Sequence, residues 1–168
     1  MVYVEPPHLL TSFQRWALLH LHEVQNGSTG FQILKECCIT AMTDNFQKKD
    51  VVDGLTKLEK LELISKRPIF QTDQMKDSEL AGLYDITADG IIYTKKMLRP
   101  VLDLVGKEGN VEKIAQKLND GKTKSWLLDL AKSAQKMTQQ QVLETIIKYG
   151  LGNISGLSQL LVILNSIH

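Results

Sequence analysis

The chain contains 168 residues, of which 43% are hydrophobic and 23% are charged. This is enough apolar material for one good core or two small ones, so the composition excludes a disordered or fibrous protein and predicts a soluble globular one. Twenty Lys and Arg against nineteen Asp and Glu leave a formal charge of +1. The chain therefore lacks the overall basic bias typical of many nucleic-acid-binding proteins, and any attraction to phosphate must be local.

The first predicted helix follows two prolines near the N-terminus. Thr11 or Ser12 can cap it, and we expect it to run to about Val24, with Asn26 and Gly27 ending it. Side chains that recur at intervals of three and four residues predict one buried stripe on this helix, formed by Phe13, Trp16, Ala17, His20 and Val24.

A second helix from about Phe31 and a third helix, for which Thr43 or Asp44 can serve as the cap, predict a helix-turn-helix arrangement. The apolar face of the second helix is predicted to consist of Ile33, Leu34, Cys37 and Cys38. Residues three and four apart share one side of a helix, which predicts that the third helix buries Val51, Leu55 and Leu58. Its opposite, exposed side is then expected to carry Lys49, Asp53, Thr56 and Lys60.

Two short strands are predicted after the third helix. The segments LISKR, ending at Arg67, and GLYDIT, ending at Thr87, have extended character and are separated by a polar loop from Pro68 to Gly82. Thr87 can cap a fourth helix that begins at Ala88, and Pro100 is expected to close that helix or to start the next one.

The third helix and the two strands resemble the second half of the winged helix-turn-helix domain of MarR-like and PadR-like transcriptional regulators. In those families the recognition helix ends in L-x-x-L-x-x-x-G-L-I-x-R, and a later strand reads y-x-L/I-T-x-x-G. The matching residues here are Leu55, Leu58, Leu63, Ile64, Ser65, Lys66 and Arg67, then Tyr84, Ile86, Thr87 and Gly90. The resemblance covers roughly Leu9 to Leu98. Glu62 stands where the families have Gly, which weakens the expected left-handed helix cap.

The resemblance implies that the exposed side of the third helix binds the major groove of double-stranded DNA and that the wing lies along the backbone. The implied DNA-binding residues are Gln47, Lys48, Lys49, Thr56, Lys57 and Lys60 on the helix and Ser65, Lys66, Arg67 and Lys76 near the wing. Acidic residues oppose this interpretation, because the predicted wing loop also carries Asp73, Asp77 and Glu79. The alternative is an ordinary solvent-exposed helix face that carries ion pairs such as Lys49 with Asp53.

Beyond Pro100 the sequence predicts only helices. The first of these helices stops at Gly121 and has an apolar face of Val111, Ile114, Ala115 and Leu118. The second has an apolar face of Leu127, Leu130, Ala131 and Ala134. The third is expected to begin with a capping box of Thr138 and Gln141 and to end at Gly150. The last segment, from Ser155 to Ile167, carries no charge. Because its apolar side chains extend past one packed face, we expect a homodimer contact made by Leu157, Leu160, Leu161, Leu164 and Ile167. The alternative is that the three preceding helices of the same chain wrap this helix completely.

Other kinds of site have weaker patterns. His8, His20, His22, Cys37 and Cys38 match no zinc-ligand spacing, and the two cysteines are better explained as core residues, so no metal site and no cofactor are predicted. We find no Gly-rich phosphate loop, serine elbow or acidic metal cluster, and an enzyme is not expected. A lysine-rich stretch from Lys107 to Lys136 alternates with acidic residues and is interpreted as solvated helix surface.

The expected compartment is the cytoplasm. Adjacent cysteines cannot form a wider disulfide framework, the N-terminal segment lacks the pattern of a secretory signal, and the apolar C-terminal segment is too short and too interrupted to span a membrane.

These patterns predict a mainly α-helical protein with a winged helix-turn-helix domain at residues 1–99 and a helical, dimerising region at residues 100–168. The favoured function is sequence-specific DNA binding by a dimeric transcriptional regulator. The alternative is a winged helix that serves as a protein-protein interaction module in a larger assembly, because a fold does not fix a function. The near-neutral charge and the acidic wing loop favour that alternative, whereas the exposed, Lys-bearing side of the third helix favours DNA binding. Residues 1–99 carry 12 basic and 13 acidic side chains, a net charge of −1.

Overall fold

The protein is mainly helical and has a small three-stranded antiparallel sheet, as a computed structural model shows. The structure describes residues 10–24, 27–40, 47–67, 80, 82–106 and 110–166, without the side chains of residues 38–40. The elements in chain order are α1 (Ser12–Glu23), β1 (Ser28–Thr29), α2 (Gly30–Thr40), α3 (Lys48–Lys60), β2 (Ile64–Arg67), β3 (Leu83–Ile86), α4 (Ala88–Val105), α5 (Val111–Gln116), α6 (Gly121–Ser133), a short 3-10 helix (Ala134–Lys136), α7 (Gln139–Gly152) and α8 (Ile154–Ser166).

The sheet has the strand order β1-β3-β2, and both pairings are antiparallel. The register of β2 and β3 runs from Ile64 opposite Ile86 to Arg67 opposite Leu83. Both strands occur where the sequence predicts them. The two-residue strand β1, which places Ser28 opposite Tyr84, was not predicted, because two residues are too few to show an alternating pattern.

Three predicted helix caps are confirmed. The hydroxyl groups of Thr11, Thr87 and Thr138 accept the backbone N–H three residues later at the starts of α1, α4 and α7. The predicted start of the third helix was wrong. Its cap is Gln47, whose N–H donates to the Asp50 carboxylate at 2.9 Å, whereas the predicted caps, Thr43 and Asp44, lie outside the described residues.

The predicted ends of three helices were also wrong. The helix α5 ends at Gln116, and Gly121, where it was predicted to stop, begins α6. Pro100 lies inside α4, although proline has no N–H to donate to the preceding turn. The helix continues because its buried stripe does, through Val101 and Leu104 to Val105. The boundary predicted between residues 99 and 100 therefore falls within one continuous helix, and the division into two domains stays a prediction. The helix α7 passes Gly150, its predicted end, and ends at Gly152, because Gly150 packs tightly against Leu157 and Leu19.

The C-terminal helices pack against the first helix of the chain. Contacts join α1 to both α7 and α8, and the Trp16 indole N–H donates to the carbonyl of Leu151 at 3.1 Å. Buried residues of both halves form one continuous hydrophobic core. None of the helices in the described residues has the length and apolar character needed to cross a membrane.

The predicted dimer residues of α8 lie in this core. The side chains of Leu157, Leu160, Leu161 and Leu164 are each at most 6% exposed within a single chain, and Ile167 lies outside the described residues. Helices of the same chain surround these four leucines, as expected if the neighbouring helices wrap α8. The uncharged side that faces solvent is centred instead on Val162, which is 58% exposed.

A polar cluster fixes the starts of α6 and α8 to one another. The Asp120 carboxylate caps α6 and accepts hydrogen bonds from the Thr123 hydroxyl at 2.6 Å and the Asn153 amide at 2.8 Å. Asn153 in turn accepts the Gly156 N–H at the start of α8. The Thr123 and Asn153 hydrogen bonds lower the pKa of the Asp120 carboxyl. The Asp120, Thr123 and Asn153 side chains all form hydrogen bonds within the chain, which indicates a structural role for this cluster.

Candidate nucleic-acid interface

One side of α3 is buried and the other is open to solvent. Val51, Leu55 and Leu58 are fully buried, as predicted. Gly54 lies between them against the Phe13 ring, at a separation that leaves no room for a β-carbon. This close approach presses α3 onto α1 and turns the opposite side of α3 outward.

All the described side chains predicted to bind DNA are exposed. They are Gln47 at the cap of α3, Lys48, Lys49, Thr56, Lys57 and Lys60 on α3, and Ser65, Lys66 and Arg67 on β2, whereas Lys76 lies outside the described residues. Lys49, Thr56 and Lys60 lie along one line of the helix surface, because they are seven and four residues apart. Asp53 lies on the same line. The Lys49–Asp53 ion pair of the alternative interpretation is not formed between these two described residues.

The charge at the start of α3 is unusual. Lys48 and Lys49 occupy the first turn, where the helix dipole already places a partial positive charge and where acidic residues are normally stabilising. Asp50 offsets part of this charge. The N-terminal end of α3 therefore presents two cationic side chains together with the positive end of the dipole, which favours contact with an anion.

The end of α3 adopts the left-handed cap even though Glu62, and not Gly, occupies that position. Glu62 has a φ of 62°, its N–H donates to the carbonyl of Glu59, and the N–H of Leu63 donates to the carbonyl of Leu58 at 3.0 Å. These two hydrogen bonds define a Schellman motif, in which Leu63 and Leu58 also supply the accompanying buried apolar pair. Glutamate thus occupies a position that glycine normally fills.

Thr87 and Gly90 tie the start of α4 to this cap. The Thr87 hydroxyl accepts the Gly90 N–H at 3.0 Å and donates to the carbonyl of Glu62 at 2.7 Å. The Thr87 N–H donates to the carbonyl of Leu63. Gly90 lies directly on that carbonyl, so a β-carbon would collide with it. The T-x-x-G pattern is therefore a junction that holds the end of α3, the start of β2 and α4 together.

The cationic side chains of β2 have partners within the sheet. The Arg67 guanidinium donates to the Asp85 carboxylate on β3 at 3.0 Å, with the two side chains 61% and 30% exposed. The Lys66 ammonium lies 5.7 Å from the centroid of the Tyr84 ring, within range of a cation-π contact. Burial raises the pKa of the Tyr84 hydroxyl. Of the two strand cations, Arg67 is the less available to a phosphate because Asp85 already balances its charge.

The sequence interpretation missed the partners of two residues near this face. Asp85 gave no signal as the partner of Arg67, because the register that places them near each other depends on the length of the connecting loop. The His20 ring lies 2.9 Å from the Ser28 hydroxyl and stacks on Trp16, with ring centroids 4.9 Å apart. Burial lowers the pKa of His20, and the nearby Glu36 partly offsets this effect. His20, which belongs to the predicted buried stripe of α1, therefore contacts β1 through Ser28.

The other residues considered for a site do not converge. Among the described residues, no group of three or more His, Cys, Asp or Glu side chains is placed to hold a metal ion. Cys37 is fully buried and donates to the carbonyl of Leu34, and His8 and the side chain of Cys38 lie outside the described part of the chain. No protein-family model, curated protein or solved structure matches the chain.

Proposed function

We propose that the N-terminal part of the chain is a winged helix that binds double-stranded DNA and that the protein is a dimeric transcriptional regulator. The observation that carries the proposal is the exposed line of Lys49, Thr56 and Lys60 on α3, beside the β2–β3 hairpin. The order α1-β1-α2-α3-β2-β3, with β3 between β1 and β2, supports a winged-helix arrangement. In such a domain α3 enters the major groove.

The lysines at the start of α3 give the proposed contact its chemistry. Lys48 and Lys49 add their charge to the positive end of the helix dipole. Phosphate contacts from such groups position a helix on the duplex, and uncharged side chains such as Gln47 and Thr56 can then contact base edges. The proposal does not need a basic chain overall, since only this surface would face DNA.

The test replaces Lys49 and Lys60 with Ala and measures binding to a mixed-sequence duplex at several salt concentrations by fluorescence anisotropy. Loss of two phosphate contacts should weaken binding at low salt and reduce the slope of log K against log salt by about two, at roughly 0.9 per contact. Lys124→Ala/Lys148→Ala is the matched control, because both lysines are exposed and lie on the C-terminal helices. An unchanged slope in the α3 variant would reject the assignment.

The second candidate function is a protein-protein interaction module. The Arg67–Asp85 ion pair favours it, because it neutralises a cation that a DNA-binding wing would direct at phosphate. If the unaltered protein binds no duplex even at low salt, the interaction module becomes the better explanation.

The homodimer is also part of the proposal. A two-fold contact along α8 would use its exposed side, at Val162 and the half-buried Ile163, because the four predicted leucines are already packed inside the chain. Light scattering of the full chain at tens of micromolar tests the dimer, and a monomeric mass would contradict it.

A further inference from the structure

A cleft of about 830 Å³ lies between α4 and α6 and is closed at its sides by the starts of α5 and α7. Ligand sites commonly measure roughly 300–1,000 Å³. The cleft lies outside the proposed DNA-binding face, since neither α3 nor the sheet contributes a side chain to its described lining.

The lining of the cleft is aliphatic inside and cationic at the rim. Its apolar surface is formed mainly by Leu102, Val105, Leu128, Ala131, Val142 and Leu143, and the described lining residues include no aromatic side chain. Among the described lining residues, the charged side chains are four cations, Lys95, Lys96, Arg99 and Lys132, and two carboxylates, Asp103 and Glu112. This balance favours an anion, and the α7 N-terminus at the cleft adds partial positive charge.

The two kinds of surface are separated along α4. Its lining residues extend from Lys95 to Val105, a length of about 15 Å at 1.5 Å per residue. Lys95 and Arg99 are four residues apart and therefore share one face near one end of this stretch. Leu102 and Val105 follow toward the other end, and Asp103, four residues after Arg99, is the one acidic side chain that α4 adds to the described lining. An elongated ligand with a charged head and an apolar tail fits this order.

We propose that the cleft binds an alkyl-chain carboxylate, such as a medium-chain fatty acid. Its carboxylate accepts hydrogen bonds from Lys95 and Arg99, and its chain lies along Leu102, Val105 and Ala131. Charge-assisted hydrogen bonds hold the head group, and burial of methylene groups supplies the remaining affinity. The proposal goes beyond DNA binding and does not depend on it.

Isothermal titration calorimetry of the full chain with octanoate and decanoate, below their aggregation concentrations, tests the proposal. One bound ligand per chain is expected, and the two extra methylenes of decanoate should tighten binding by roughly tenfold or more, since each buried methylene contributes about fourfold. 1-Octanol, which has the chain without the charge, should bind at least about tenfold more weakly than octanoate. No heat of binding for decanoate, or equal affinity for octanoate and 1-octanol, would overturn the proposal.

Two variants locate the site. The rim variant Lys95→Gln/Arg99→Gln should weaken octanoate binding by about tenfold or more and should leave 1-octanol binding unchanged. The control variant Lys124→Gln/Lys148→Gln removes the same charge outside the cleft lining and should change the binding of neither ligand. Ala131→Trp should narrow the cleft and weaken the binding of both ligands. Octanoate binding that survives both the rim variant and the Trp variant would place the ligand elsewhere and overturn the assignment.

Discussion

Replacing Glu62 with Gly should stabilise the protein. Glu62 has a φ of 62°, its backbone groups are hydrogen-bonded, and its exposed side chain forms no hydrogen bond or ion pair in the described structure. A residue with a β-carbon pays about 1–2 kcal/mol in the left-handed region. Glycine removes this strain but loses about 0.4–1 kcal/mol through the greater freedom of the unfolded chain. The net gain in the free energy of unfolding should be about 0.5–1 kcal/mol.

Urea denaturation followed by circular dichroism measures this gain, and a rise in Tm of roughly 1–4 °C should accompany it for a chain of this length. Two control variants separate the contributions. Glu62→Ala removes the negative charge near the C-terminal end of the α3 dipole but keeps the backbone strain, so it should gain less than the glycine variant. Glu59→Gly introduces glycine where the helix is right-handed and should destabilise by about 1 kcal/mol. If Glu62→Gly is no more stable than Glu62→Ala, the strain argument is refuted.

Stability should also depend on pH through His20, because burial lowers its pKa in the folded state and the fold favours the neutral ring. This contribution to stability is complete above the unfolded pKa of about 6.5 and is lost as the pH falls through the folded pKa. Urea denaturation between pH 7 and pH 5 should show that His20→Gln loses less stability than the unaltered protein. Part of the pH dependence should remain in this variant, because burial also lowers the pKa of His22. Gly90→Ala should destabilise by about 2–3 kcal/mol, because its β-carbon would meet the carbonyl of Leu63. Gly121→Ala, where nothing lies near the added carbon, should show no such loss in the same urea titration, and equal effects at both glycines would contradict the packing argument.

The helices were predictable wherever local chemistry and packing agree. Threonine caps followed by a regular apolar stripe located the starts of α1, α4 and α7, and the buried face of α3 followed from helical spacing alone. Errors occurred where distant packing overrides a local signal. Pro100 remains inside α4 because the buried residues on both sides of it share one core, and Gly150 continues α7 because it gives room to Leu157.

The candidate site was predictable in its exposed positions and not in its partners. Exposure of Lys49 and Lys60 follows from the burial of the opposite side of one helix. The Arg67–Asp85 ion pair depends on the register between two strands joined through a long loop, which sequence pattern does not determine. The burial of Leu160 and its neighbours in α8 depends on how many helices surround α8, and an apolar stripe cannot distinguish a partner helix of the same chain from one of a second copy.

Two departures from ordinary helix chemistry fall on α3, and they have different meanings. At its end, the left-handed Glu62 is a cost in stability that the Schellman hydrogen bonds and the Thr87 junction hold in place. At its start, Lys48 and Lys49 oppose the helix dipole while their side chains remain in solvent. Solvated lysines gain nothing from that position within the chain itself. An external anion would turn the same repulsion into attraction, because the lysines and the dipole would act on it together. Departures from local stability rules concentrate at functional sites, and this one lies at the end of α3 that a winged helix would direct into a DNA groove.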